Sequence, residues 1–458
     1  MSDKATSKRR KVSKPNEPAI IEAPSSTGGE PWSDIAPNSS APSADLPPPS
    51  QRGELPRTDE EAAAPANYTL VQPGAFEPSK HFYTRVLNAH IHPLVRYFMD
   101  LGNRRIAERY SHLHPEASHD GVTAALSYAT RYFRWGGADL FHVTTEEGLR
   151  RIVVIETNSC PSGNKSMPLL VEREEQAGYR ALLERSFMPM LRARGLPEGE
   201  LAVLYDKNPM EASAYAGVLA EVAESPVHLV AMHDADPTPR ARFNETGVLE
   251  ICLDDGTWLP IRAALRYVTQ RPWNRIPPLA RSLIYNPVIV CLAGGRNKLL
   301  AAKAYDLYNA ELESDGLSIR TPETIWDVGR EEVPLWVQRM GGYAVVKVPY
   351  SNAGQGVYTI TRRDELDAFM ELEQRYDRFI VQALIGNIGW SSRSHAGRLY
   401  HIGTVPNRHG EIFAADLRFM VGNGPEGFFP VAIYARRARL PLAPALEAAN
   451  CPSWDMLG

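Results

Sequence analysis

The chain has 458 residues, with a near-average apolar share of 43% and a charged share of 23%, so it is long enough for about three globular domains. A net charge of −4 excludes a global basic field of the kind a dedicated nucleic-acid binder carries. Four dispersed cysteines (Cys160, Cys252, Cys291, Cys451) exclude a disulfide scaffold or zinc-finger array and fit a reducing compartment.

Residues 1 to about 68 hold 11 of the 37 prolines and only scattered apolar side chains. Such a segment cannot offset its ordering entropy and reads as a disordered Pro/Ser-rich tail. Its opening residues are charged with no apolar run behind them, unlike a secretory signal. Lys8, Arg9, Arg10 and Lys11 read either as a solvated basic end or as a nuclear localisation signal. No apolar run approaches a membrane span. The expected location is cytoplasmic, or nuclear through that basic cluster, with no membrane and no nucleic-acid partner.

From Phe76 the apolar spacing turns helical, and two helices are expected over 76–115, the second starting near Pro93. His81, His90, His92, His112, His114 and His119 lack a metal-ligand spacing and read as surface or capping residues. Residues 138–158 alternate with period two around a Thr-Glu-Glu-Gly turn, a β-hairpin. Residues 167–195 read as helix. Over 200–296 the order is buried strand, amphipathic helix, strand, then a hairpin around Asp255-Gly256, which implies a parallel α/β unit. Residues 298–330 read as mainly helical, 343–361 as strand, Gly-containing loop, strand, 364–376 as helix and 378–386 as strand. Strand patterns return at 398–405, 411–422 and 428–439.

Three segments carry the chemistry. The first hairpin ends in Glu156, Thr157 and Asn158, and residues i and i+2 of a strand share a face. A carboxylate and an amide carbonyl side by side suit Mg2+, with Asp139 on the preceding strand as a third oxygen. The alternative is a capped surface strand end. Lys347 ends an apolar strand, and the following Ser351, Asn352, Gly354, Gln355 and Gly356 let main-chain N–H groups approach phosphate oxygens. The alternative is an ordinary Gly-rich hairpin. The strand 378–386 runs into Gln382, and its main chain can face an adenine edge or simply lie in the core. Lys298, Asp416, Arg418, Arg436, Arg437 and Arg439 supply charge nearby in sequence, each of them also readable as a solvated surface group. Cys160 reads as packing, and no Ser-His-Asp or Cys-His constellation is present.

Together these segments resemble the ATP-grasp superfamily, with the likeness spanning residues 76–440. Glu156-Thr157-Asn158 looks like its Glu-x-Asn magnesium motif, 343–360 like the lid over the triphosphate, 378–386 like the adenine hinge and Asp416-Leu417-Arg418 like its Asp-x-Arg strand. Glu-x-Asn stands about 190 residues before the lid lysine, an order similar to circularly permuted members such as glutathionylspermidine synthetases. One departure is Gly137, where that group often has an arginine.

The resemblance implies an α/β fold of ATP-grasp type, split and permuted. Its parts would be 76–198 (helices and metal hairpin), an inserted α/β unit at 200–296, and 297–445 (lid and phosphate-binding part). It implies Mg2+ on Glu156, Asn158 and Asp139, and phosphate contacts from Lys298 and Lys347. Ser351, Gly354, Gln355 and Gly356 would cover the triphosphate, and Gln382 and Leu384 would line the adenine pocket. Arg418 or Arg436 would stabilise the transferring phosphoryl group. The implied activity is an ATP-dependent ligase joining a small-molecule carboxylate to an amine or thiol through an acyl phosphate. The alternatives are an ATP-grasp phosphotransferase and an inactive nucleotide-binding interaction protein.

Overall fold

The structure is a computed structural model that describes residues 67–168, 174–192, 195–234, 236–270, 273–350, 356–446 and 453–457. The expectations for the N-terminal tail and for Ser351, Asn352, Gly354 and Gln355 lie outside the described residues.

A short strand, β1 (Tyr68–Val71), stands where the sequence offers only the end of a polar tail. Four helices then replace the two expected over 76–115: Pro78–His81, Thr84–Leu87, Pro93–Met99 and Asn103–Leu113. Prolines open the first and third, and Gly102 at φ 74° breaks the chain before the fourth, so punctuation overrides the helical period. A fifth helix, His119–Ser127, follows. The histidines act locally: His92 accepts from Leu94 N at its helix start, and His81 Nδ1 lies 2.8 Å from the Glu77 carbonyl.

The predicted hairpin is present as β2 (Trp135–Thr145) and β3 (Arg150–Ser159). The helix expected over 167–195 is found at Ala177–Met190, with a π-turn at Leu183–Phe187 before Pro189, whose missing N–H interrupts the ladder.

The next unit follows its apolar runs. It comprises β4 (Glu200–Tyr205), the helix Pro209–Ala223, β5 (Val227–Ala231), β6 (Ala241–Phe243), β7 (Leu249–Cys252), β8 (Trp258–Tyr267) and β9 (Leu283–Tyr285). The sheet order is β1-β5-β4-β8-β7-β6, with β9 beside β8. β4 runs parallel to both β5 and β8, and β8 runs parallel to β9. Ala202, Val203 and Leu204 are fully buried, as a continuous apolar run in a covered sheet must be. The helix over this sheet buries Ala212, Ala214, Ala216 and Ala220, small enough for close approach.

The helix Lys298–Leu312 leads to β10 (Thr324–Gly329), β11 (Ala344–Lys347), β12 (Val357–Ile360), the helix Arg363–Glu371 and β13 (Arg378–Gln382). These strands form an antiparallel sheet in the order β10-β13-β11-β12. β10 corrects the mainly helical expectation for 298–330. Its register shifts between Ile325 and Val328, around Asp327 at φ 64°, which hides the period of two.

Finally β14 (Leu399–His401), β15 (Ala415–Gly424) and β16 (Gly427–Arg437) join the first hairpin. That sheet runs β14-β2-β15-β16, with β3 on β2. Strands nearly 280 residues apart thus lie side by side. The architecture is mixed α/β with three sheets among the described residues, in keeping with the α/β expectation.

Candidate functional site

The register of the last sheet builds the site. Asp139 on β2 stands opposite Glu156 on β3 and opposite Arg418 on β15, and Arg418 stands opposite Tyr434 on β16. Cross-strand partners share a face, so Glu156, Asp139, Arg418 and Tyr434 form one row. A register shift beside Asp139 leaves Ile155 without a β2 partner, a bulge of the kind that re-aims a strand next to a site.

The row is tightly paired at its centre. Arg418 donates to both oxygens of Asp139, from Nε and Nη2, each at 2.6 Å. Arg436 adds a contact to Asp139 Oδ2 at 3.1 Å and pairs with Asp416. Burial works against the Arg418 charge, but the hydrogen bonds and charge of Asp139 prevail and its pKa is raised. Both Asp139 oxygens are therefore committed to arginine in this structure.

Glu156 is the carboxylate with room to act, its side chain 25% exposed. Lys298 Nζ lies 3.4 Å from its Oε2, and Asn158 Nδ2 donates to Oε1 at 3.2 Å. Burial would raise its pKa. Lys298, Lys347 and the Asn158 amide outweigh that and hold it well below the usual carboxylate range. Asn158 itself is buried, and its carbonyl oxygen accepts from Arg296 at 3.2 Å.

Lys347 reaches the row from the neighbouring sheet. Its Nζ donates to Gln382 Oε1 at 2.8 Å and to the Ile155 carbonyl, freed by the bulge, at 3.4 Å. Burial lowers its pKa to about 8, partly countered by Glu156. Gln382 is fixed in turn by donating to Thr324 Oγ1 at 2.9 Å. Lys298 opens a 15-residue helix capped by the Asn297 side chain, and its main-chain N–H donates to the Pro349 carbonyl at 2.8 Å. So the strand end carrying Lys347 and the helix start carrying Lys298 are tied together.

The structure brings Glu156, Asn158, Lys298, Lys347 and Gln382 into one neighbourhood, with Asp139, Arg418 and Arg436 beside them. Gly356 adopts φ 64° and its carbonyl accepts from Val348 N, closing the strand pair of the expected lid. Leu384 is buried, and its main chain is engaged. Its N–H donates to Ser392 Oγ at 2.7 Å, and its carbonyl accepts from Ser392 N at 3.0 Å and Ser391 Oγ at 3.1 Å. The adenine-edge bonds expected of that strand would thus have to displace contacts with Ser391 and Ser392. Cys160 is buried, its thiol donating to the Arg266 carbonyl at 3.1 Å and its pKa pushed up by burial, which suits a packing role.

The oxygens on offer fit a sparse magnesium site. Mg2+ commonly keeps several waters and takes one or two carboxylates plus phosphate oxygens. Glu156 can supply one such oxygen. Among the described residues no group of three His, Cys, Asp or Glu is arranged to hold a metal by itself.

Sequence reading missed Arg296, Lys207, Lys165 and Glu211. Glu211 is fully buried and gathers Ser162 Oγ, the N–H groups of Gly163 and Asn164, and the Tyr267 hydroxyl at 2.5–2.7 Å. It shapes the loop after Asn158. The available signal was an acid in the first turn of an alanine-rich helix, facing a buried run that rarely tolerates a charge without donors.

No family model matches the chain, and no curated protein matches it in sequence. Solved structures do match. One is a glutathione synthetase-like effector from Globodera pallida, at 10% identity and a TM-score of 0.40, covering 75% of this chain and 81% of that one. A RimK domain ATP-grasp protein from Sphaerobacter thermophilus is 15% identical over 52% of this chain and 90% of that one, TM-score 0.29. D-alanyl-alanine synthetase A from Vibrio cholerae is 13% identical over 51% of this chain and 87% of that one, TM-score 0.29. No helix among the described residues is long and apolar enough to cross a membrane. The chain is thus similar to solved ATP-grasp and glutathione synthetase-like structures over half to three quarters of its length, at low identity.

Proposed function

We propose that this chain is an ATP-dependent ligase that activates a small-molecule carboxylate as an acyl phosphate and passes it to an amine or thiol. The observation that carries the reading is the convergence of Glu156, Lys298 and Lys347 from three separate elements: β3, a helix start and the end of β11.

Phosphoryl transfer needs positioning and charge neutralisation more than a nucleophilic side chain. Lys298 and Lys347 are cations held on rigid elements, and each can neutralise charge developing on phosphoryl oxygens. Glu156 is kept ionised at neutral pH by those same lysines and would hold Mg2+ with water and phosphate oxygens. Bound magnesium would supply Lewis-acid polarisation of the phosphates. Arg418, aligned by Asp139, presents the remaining edge of its guanidinium toward Glu156, and Arg436, aligned by Asp416, stands on the other side of Asp139. The loop after Lys347 would exclude water, which would otherwise hydrolyse the acyl phosphate.

A second reading has one observation in its favour. With both Asp139 oxygens on Arg418, Glu156 alone represents the acids of the row, which suits nucleotide binding without turnover.

Thermal unfolding with and without Mg-ATP tests both. At a hundredfold excess over Kd, a ligand bound only by the native state adds about 2.7 kcal/mol. Both readings require a rise in midpoint that shrinks in Glu156→Ala. The ligase reading also requires ADP and free phosphate that form only when an acid and an amine or thiol are present together. Binding without such turnover across a panel of acids and amines would leave the second reading.

A further inference from the structure

A second concentration of charge lies outside the row, at the end of the parallel sheet. Lys207 follows β4, whose neighbours are β5 on one side and β8 on the other. The chain leaves β4 for β5 through the helix Pro209–Ala223 and reaches β8 only through β6 and β7. The carboxyl end of β4 is therefore where the connections diverge, the place at which open α/β sheets bind ligands.

The groups around Lys207 are already engaged. Asp206 accepts from Thr269 N at 2.9 Å, Gln270 N at 2.6 Å and Arg275 at 2.9 Å. Asn208 donates to the Tyr267 hydroxyl at 3.3 Å. Lys165 lies 3.9 Å from Glu211 and over the Tyr83 ring. Arg296 donates to the carbonyls of Ser159 and Cys160 at 2.7 and 3.3 Å, and to Asn158 Oδ1. Lys207, half-buried, makes no hydrogen bond or ion pair with any described residue. Arg296 thus holds the start of the loop 159–165 and Lys165 stands at its end, the charges of both act on Lys207, and the acid next to Lys207 in sequence is bound to Arg275.

We propose that Lys207, flanked by Arg296 and Lys165, holds a carboxylate of the acid substrate, and that this acid carries a carboxylate beyond the one that is phosphorylated. This rests on the ligase reading, because the phosphorylated group must lie against Lys298 and Lys347. Lys298 and Lys347 are tied to Glu156 and to the strand ends around it, and among the described residues Lys207 shares none of those bonds, so an anion held by Lys207 is taken as a second one. Burial and then the charge of Arg296 bring the Lys207 pKa down to about 8; Asp206 opposes them, and Arg418 and Lys165 add smaller contributions in the same direction as Arg296. A cation held in that state gains from an incoming anion.

The probes are glutarate, a dicarboxylate, with butyrate and glutaramide as controls, titrated calorimetrically into the full chain and its Lys207→Met and Lys207→Arg variants. Mg-ATP is titrated in parallel. Glutarate is expected to bind the unmodified protein at least tenfold tighter than butyrate, with glutaramide weaker still. Lys207→Met should abolish that preference and Lys207→Arg should restore part of it, with Mg-ATP affinity unchanged. The unfolding midpoint of Lys207→Met without ligand should equal or exceed that of the parent, which separates lost binding from lost fold. Glutarate bound no tighter than butyrate, or equally by parent and Lys207→Met, overturns the proposal. A Lys207→Met variant that loses Mg-ATP but keeps glutarate also overturns it, because Lys207 then serves the triphosphate. If Mg-ATP fails to bind the parent while the glutarate preference persists, the nucleotide reading falls and the anion site stands.

Discussion

The row across β3, β2 and β15 and the end of β4 contain similar side chains but arrange them in opposite ways. In and beside the row each carboxylate meets a cation: Asp139 with Arg418, Asp416 with Arg436, Glu156 with Lys298. At the end of β4 the carboxylates Asp206 and Glu211 are consumed by loop N–H groups, hydroxyls and Arg275, and Lys207 is left over. Pairing fixes the geometry of the row before any ligand arrives. An unpaired, half-buried cation costs stability until an anion arrives, so the difference separates what the fold supplies from what a substrate must bring.

The largest effect should come from breaking the pairing. Asp139→Asn keeps the shape but leaves Arg418, whose side chain is 13% exposed, without its counter-charge. Removing one partner of a buried pair typically costs about 3–5 kcal/mol. Chemical denaturation should read a loss of that order. Asp139→Leu with Arg418→Met should recover much of it, since a matched apolar pair leaves no stranded charge. Recovery absent from the double variant would mean that the pair does more than balance charge.

Next come Glu156→Ala and Lys347→Ala. Each removes a charge that the ligase reading places on phosphoryl transfer, and loss of one such group costs about a hundredfold to a thousandfold in turnover. Folding should survive: in Glu156→Ala the lost side chain is part-exposed and Lys347 keeps Gln382, and in Lys347→Ala Glu156 keeps Lys298 and Gln382 keeps Thr324. Turnover undiminished in either purified variant would remove that residue from the site.

How much of this was legible in the sequence follows from how far each signal travels along the chain. Glu156 and Asn158 share a face by strand periodicity alone, and Lys347 ends an apolar run, so local pattern was enough to single them out. That Arg418 lies opposite Asp139 depends on pairing between strands nearly 280 residues apart, which no local period encodes. The engagement of the Leu384 main chain comes from serines in the next loop, whose path has no periodic signal. The parallel order of β4 and β5 was readable from strand, helix, strand. β10 was not, because Asp327 at positive φ breaks its alternation. Lys207 was visible as a charge after a buried strand. Its significance depends on Arg296 and Lys165, which arrive from distant loops.

The pH response sharpens the contrast between the two regions. The Lys207 pKa is about 8 against an ordinary 10.5, chiefly because burial disfavours its charge, with Arg296, Arg418 and Lys165 acting the same way and Asp206 favouring it. Glutarate needs the charged form. Its affinity should fall about tenfold between pH 7 and pH 9, since a site titrating near 8 is mostly neutral at the upper value. Lys207→Met should flatten that profile. A profile equally steep in the variant would assign the titration to another group.

The smallest effect is on stability, and its sign is the informative part. Below about pH 8 Lys207 is charged in both folded and unfolded chains, and the folded chain bears the full cost of holding it among cations. Between about 8 and 10.5 the unfolded chain binds more protons than the folded one, so this group makes stability rise with pH across that window. Lys207→Met removes both the cost and the slope. Its unfolding midpoint should therefore lie at or above that of the parent near neutral pH and converge with it toward pH 10. A residue kept for packing would give the reverse, a lower midpoint at every pH, because methionine would then lose contacts without relieving any charge.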